Sequence, residues 1–300
     1  MKNLNKFLGI LCIASIFAFT GCSKKSENSS VKNEESKVKI TATFYPLYIM
    51  LLNICDGIDN VEVSMLAPSN TGCLHDYALT SKDMKKISDC DILVANGSGM
   101  EEFMEKAIEV KKDSIIDASY GYELIDENPH VWVSIDGAAY EVNRITKELC
   151  RLNPENEYFY NKNAQNYLTK LYVLSNEMHQ KLDSLSGSKI ITFHEAFPYF
   201  AKEFNFDLAA VIERESGTVP SAKELNEIIG VVKNVQNEGG KTALFAEPQY
   251  SSSSADIIAR ETGLKVYMLD PCVTGKLEKD AYIDAMKQNE MVLLEAFEEK

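Results

Sequence analysis

From residue 38 onward, short apolar runs alternate with segments whose apolar residues recur at helical spacing. The runs cover 38–44, 61–66, 91–95 and 114–117, and then 189–193, 208–212, 242–246 and 264–269. Helical patterns accompany them at 81–87, 100–110 and 136–149 in the first half, and at 196–204, 221–236, 253–261 and 280–297 in the second. Such repeated alternation predicts parallel sheets covered by helices. The expected fold is α/β, with one lobe over 38–152 and a second of similar size over 187–300.

A different pattern separates the two halves. Asn153-Pro154-Glu155 opens a stretch that reaches Leu185 with no further Gly or Pro. Asn153 is placed as an N-cap and Pro154 at the first helical position. Leu168, Leu171, Tyr172, Leu174, Ser175, Met178, Leu182 and Leu185 fall on one face. A helix of about 30 residues is ~45 Å long, enough to cross between two lobes. The segment 153–186 is therefore expected to be one long, rigid connecting helix.

The first residues read differently again. Lys2 and Lys6 precede an apolar stretch from Leu8 to Phe19, too short to span a bilayer and arranged like a secretory signal. Phe19-Thr20-Gly21-Cys22 resembles a bacterial lipobox, with Phe19 where Leu is usual. Residues 1–21 are thus expected to be a lipoprotein signal peptide, and Cys22 the acylated residue. Residues 22–37 are Ser, Lys, Asn and Glu-rich and cannot bury enough surface to fold, so they predict a flexible tether.

Composition narrows the function. The formal net charge of −14 over 300 residues argues against a nucleic-acid partner, which would need clustered Lys and Arg. Losing Lys2 and Lys6 with the signal takes −14 to −16, so attachment to the membrane would come from lipid rather than from a basic surface.

Four histidines are present. His75, His130 and His194 each lie just past the carboxyl end of a predicted strand or in the loop after it, and Asp270 holds the corresponding place after 264–269. Ligands of open parallel sheets bind outside those carboxyl ends. Two histidines are thus expected to project from the first lobe, and a histidine and a carboxylate from the second. Three imidazoles and one carboxylate suit a borderline transition metal such as zinc. His179, mid-helix between polar neighbours, is assigned to the solvated face of the connector.

The segments around these positions resemble the metal receptors of ABC importers, the ZnuA/TroA-type solute-binding proteins. Gly72-Cys73-Leu74-His75-Asp76-Tyr77 is similar to the family's first ligand block, and Asn128-Pro129-His130-Val131-Trp132 to its second. Phe193-His194-Glu195-Ala196-Phe197-Pro198 matches the third, and Leu269-Asp270-Pro271 the fourth. The resemblance implies two α/β lobes joined by one long helix, with the metal in the cleft between them. It also implies ligand roles for His75, His130, His194 and Asp270. The implied function is an extracytoplasmic, lipid-anchored monomer that captures Zn2+ and passes it to a membrane permease. Mn2+ is the alternative cargo; His194 at the third position tilts the choice to zinc.

This chain departs from the family pattern at Leu74, where Pro is usual, and in having no His-rich loop between Asp117 and His130. Glu247 reads as a residue that supports the site rather than a fifth ligand. Cys73 and Cys272, each two positions from an expected ligand, read as small buried thiols. Their alternatives are a disulfide between the two or a thiolate joining the metal. No HExxH motif supports the rival reading of a zinc metallohydrolase; a further rival is an adhesin-like lipoprotein with a structural metal. The chain is not expected to be an enzyme.

Overall fold

All eight apolar runs form parallel strands. The computed structural model describes residues 37–74, 77–212, 221–248 and 253–298. The expected signal, the lipobox with Cys22, the tether up to residue 36, and His75 lie outside the described residues.

β1 (Val38–Ala42), β2 (Val61–Met65), β3 (Ile92–Ala95) and β4 (Ile115–Asp117) make one four-stranded sheet in the order β2-β1-β3-β4. β5 (Lys189–Thr192), β6 (Asp207–Val211), β7 (Thr242–Ala246) and β8 (Val266–Met268) repeat that order as β6-β5-β7-β8. Every pairing is parallel. In each sheet the chain reverses its direction of winding after the second strand. The switch points therefore fall between β1 and β3 and between β5 and β7, where an open parallel sheet leaves a crevice.

Helix α1 (Tyr45–Ile54) was not legible as a helix from periodicity, because it has no polar stripe. Tyr45, Pro46, Leu47, Ile49, Met50, Leu51, Asn53 and Ile54 are all buried, which leaves nothing to modulate with a 3.6-residue period. α2 (Ser81–Asp89) begins with a capping box in which Thr80 and Asp83 satisfy each other's backbone amides. The helix expected over 100–110 breaks into a 3-10 turn at Glu102–Met104, the four-residue α3 (Glu105–Ile108) and another 3-10 turn at Glu109–Lys111. Its first turn is tied elsewhere: the Glu101 carboxylate accepts from the Asn96 and Gly97 amides and from Thr43 Oγ1.

α4 (Ile135–Leu152) starts at Ser134, whose hydroxyl accepts from the Gly137 amide at 3.0 Å. A Cβ at residue 137 would come within 2.0 Å of the Val131 carbonyl oxygen, so only glycine allows this tight entry. The long connector is α5 (Glu157–Leu182), preceded by a 3-10 turn at Pro154–Asn156 and followed by another at Asp183–Leu185. Asn153 does not cap it through its side chain. Its Oδ1 accepts instead from Asn156 Nδ2 and Tyr160 Oη. Tyr160, Ala164, Tyr167, Leu168, Leu171, Leu174, Met178 and Leu182 form the buried face, whereas Tyr172, expected there, is exposed.

α6 (Pro198–Glu203), α7 (Ala222–Asn237), α8 (Ser253–Thr262) and α9 (Ala281–Glu298) complete the second half. α5 packs against α1, α4 and α9. Residues 36–300 form one compact unit, and its main apolar core is continuous from Ile40 through the α5 face to Phe297. Smaller clusters close the outer side of each sheet, one around Leu93 and Ile87 and the other around Leu244 and Val232. None of the described helices is long and apolar enough to cross a membrane.

Candidate metal centre

The register of β5 against β7 pairs Thr192 with Phe245. Two residues further along each strand, past its carboxyl end, stand His194 and Glu247. They face each other across the switch point, with His194 Nδ1 3.4 Å from Glu247 Oε1, and both side chains are buried. Thr192 Oγ1 donates to the His194 carbonyl at 2.9 Å and holds the turn that follows the strand. β8 pairs Ala246 with Met268, which brings Asp270 to the same end of the sheet.

From the first sheet, the chain leaving β4 returns to the same region through Asn128-Pro129-His130. Asn128 Oδ1 accepts from the His130 backbone amide at 2.9 Å and lies 3.0 Å from His130 Nδ1. With Nδ1 donating to that oxygen, Nε2 is left as the ring atom able to accept or to ligate. Asn96 Nδ2 donates to the Pro129 carbonyl, which ties this loop to the end of β3. The ring centroids of His130 and His194 are 4.8 Å apart, edge to face. Two imidazoles from segments that follow different sheets thus lie side by side.

Cys73 is the third member of the group. Its Sγ is 3.2 Å from His130 Nε2, and the donor atoms of Cys73, His130 and His194 all lie within 4.8 Å of one another. All three residues are buried. Cys73 is buried, as expected of a small thiol, and its sulfur approaches the histidines. No disulfide joins Cys73 to Cys272. Cys272 Sγ lies instead 3.7 Å from the Asp270 carbonyl, in a turn where residue 272 has φ of +59°.

Asp270 is not a member of that three-residue group. Its Oδ1 accepts from the Cys272 amide at 2.7 Å, and Asn289 brackets its backbone, accepting from its N–H and donating to its carbonyl. Burial pushes the Asp270 carboxyl above the usual range; the Cys272 amide pulls it back, and the neighbouring Glu247 charge pushes it up again. The Glu247 charge is therefore close enough to oppose ionisation of Asp270, an effect that a bound cation would reverse. His179 stands apart: its Nδ1 is 2.8 Å from Asp183 Oδ1 and its ring packs at 4.8 Å on Phe204.

The two halves are pinned around the site. Asn128 Nδ2 donates to the Glu195 carbonyl at 2.7 Å, Tyr199 Oη to the Asn128 carbonyl at 2.6 Å, and Trp132 Nε1 to the Pro271 carbonyl at 2.9 Å. Tyr282 Oη donates to the Trp132 carbonyl at 2.9 Å. Asn128, part of the Asn128-Pro129-His130 motif, has a role that residue type alone does not reveal. Its signal was its place two residues before His130, the spacing of a side chain that turns back on a backbone amide.

Paired four-stranded parallel sheets of matching order, one long helix between them and imidazoles at the strand ends define a two-lobed α/β solute receptor. Residues 40–296 match the family model described as zinc-uptake complex component A periplasmic, ZnuA, and the chain belongs to that family of metal-receptor proteins. The high-affinity zinc uptake system protein ZnuA of Bacillus subtilis is 30% identical over 311 residues, 95% of either chain. The manganese ABC transporter substrate-binding lipoprotein PsaA of Streptococcus pneumoniae is 24% identical, over 96% of this chain and 97% of its own. Among solved structures, FpvC of Pseudomonas aeruginosa in complex with Mn2+ superposes with a TM-score of 0.79 at 29% identity, covering 88% of this chain and 99% of that one.

Proposed function

We propose that this protein is the extracytoplasmic receptor of an ABC importer, capturing Zn2+, with Mn2+ as the alternative, and delivering it to a membrane permease. The single observation that carries the reading is the convergence of His130 and His194, buried imidazoles supplied by different sheets. His75 and Asp270 are proposed to complete the ligand set; the family resemblance supports them. Acylation at Cys22 is proposed to hold the chain at the outer face of the membrane, in keeping with relatives named lipoproteins. Two lobes over 38–152 and 187–300, joined by a connector over 153–186, are proposed as the domains of the receptor.

Capture replaces the ion's water by neutral imidazole nitrogens and an ionised carboxylate. The position of Asp270 beside Glu247 favours a cation electrostatically. Below an ordinary imidazole pKa of about 6.5, protons compete for the same lone pairs and affinity falls. The hydrogen bonds across the two halves and the stiff α5 favour release by small rearrangement rather than wide opening. Family membership also favours a non-enzymatic role over hydrolysis.

The test is native mass spectrometry with zinc and manganese in competition, on wild type and on His194→Ala. One ion per wild-type chain, with stoichiometric binding lost in the variant, is the expected result. Unchanged binding by His194→Ala would remove that residue from the site.

A further inference from the structure

Five cysteines lie among the described residues, and they differ in what their sulfurs face. The thiols of Cys90, Cys150 and Cys272 reach backbone carbonyl oxygens, the usual weak use of an S–H. Cys73 Sγ instead sits 3.2 Å from an imidazole nitrogen, and from Nε2, the nitrogen that Asn128 leaves available. A carbonyl oxygen does no more than accept that S–H, whereas an imidazole nitrogen at this distance from a sulfur can also share a cation with it.

The spacing suits shared coordination. A tetrahedral zinc ion with a Zn–S bond of about 2.3 Å and Zn–N bonds of about 2.0–2.1 Å places sulfur and nitrogen about 3.6 Å apart and two nitrogens about 3.4 Å apart. The sulfur-to-nitrogen distance of 3.2 Å and the group's limit of 4.8 Å are within a side-chain adjustment of those values. Resting on the reading of the protein as a metal receptor, we propose that Cys73 is itself a metal ligand, so that sulfur joins His130 and His194 and takes the tetrahedral position otherwise left to Asp270, which is not a member of their group.

On binding, the divalent cation takes the place of the proton that lies between Sγ and Nε2. The S–H bond breaks, the proton passes to solvent, and the sulfur and nitrogen electron pairs form bonds to the metal, with no change of oxidation state. A thiolate is a softer donor than carboxylate or water and favours zinc over manganese beyond what imidazole and carboxylate provide. Cys73 is then the residue that sets metal selectivity in this chain.

Cobalt(II) is the probe, added to the reduced full-length chain in detergent. Wild type is expected to bind one equivalent and to show the near-ultraviolet thiolate-to-cobalt charge-transfer band. Cys73→Ser is expected to bind cobalt without that band and to lose at least tenfold in its preference for zinc over manganese, while Cys272→Ser keeps both. Zinc-edge X-ray absorption of the unmutated protein supplies an arm independent of any variant, with a sulfur neighbour expected at about 2.3 Å. Cobalt or zinc bound with no sulfur signature, or a band that follows Cys272, overturns the sulfur ligand and leaves the receptor reading standing. Failure of the wild-type chain to bind cobalt or zinc at all overturns both.

Discussion

Replacing Asn128 by alanine tests whether the loop after β4 orients its histidine for metal. The amide oxygen of Asn128 serves the His130 backbone and ring at 2.9 and 3.0 Å, and its nitrogen bridges to the Glu195 carbonyl of the other half at 2.7 Å. Asn128→Ala removes all three. The ring then gains a second tautomer and rotational freedom, and loss of such an outer partner typically costs about 10–100-fold in metal affinity, ~1.4–2.7 kcal/mol. The loss of the bridge to Glu195 is expected to add ~1 kcal/mol of lowered stability in the metal-free chain. Asn128→Asp keeps an acceptor for Nδ1–H and is expected to retain most of the affinity, while losing the donor to Glu195. The assay is a competitive chelator titration with zinc at a pH where imidazole is neutral, with urea unfolding alongside. A folded Asn128→Ala protein that binds zinc within about twofold of wild type would refute the claim that Asn128 sets the His130 tautomer.

Two further outcomes concern the scaffold. Burial raises both Glu101 and Glu203 from an ordinary 4.5 to about 7, so the folded chain holds protons that the unfolded chain has released. The stability these two groups contribute is therefore fully present below pH 4.5 and is lost as pH rises to about 7, by up to ~3 kcal/mol per group. Urea midpoints of metal-free protein should be lower at pH 8 than at pH 5, and Glu203→Gln should flatten its share of that slope; an unchanged slope would contradict the assignment. On α5, fully buried Leu171 should cost ~2–5 kcal/mol when truncated to alanine, whereas half-exposed Tyr172 should cost less than about 0.5. Equal losses in denaturant unfolding would mean that the buried face has been misassigned.

The strands and the connector were legible because their signals are local. A run such as 243–246 is apolar over its whole length, and α5 repeats its apolar side at 3.6 residues, so neither needs a neighbour to be recognised. Where the pattern carried no contrast, as in the wholly buried α1, periodicity was silent; where a side chain served another segment, as Glu101 does, the expected helix broke up. Tyr172 shared the spacing of the buried face but fell at its margin, which only the packing of α1, α4 and α9 around α5 could draw.

Residue type and strand order made the imidazoles and a carboxylate just past parallel strands candidates for a metal, because both can be read locally. Tertiary structure alone decided which donors meet. Register across the β5–β7 switch point set His194 beside Glu247, the Asn128 turn aimed His130, and chain return after β2 carried Cys73 onto the same nitrogen. Those are distances between segments remote in the chain, fixed by the packing of both sheets on a shared core, and no local pattern encodes them.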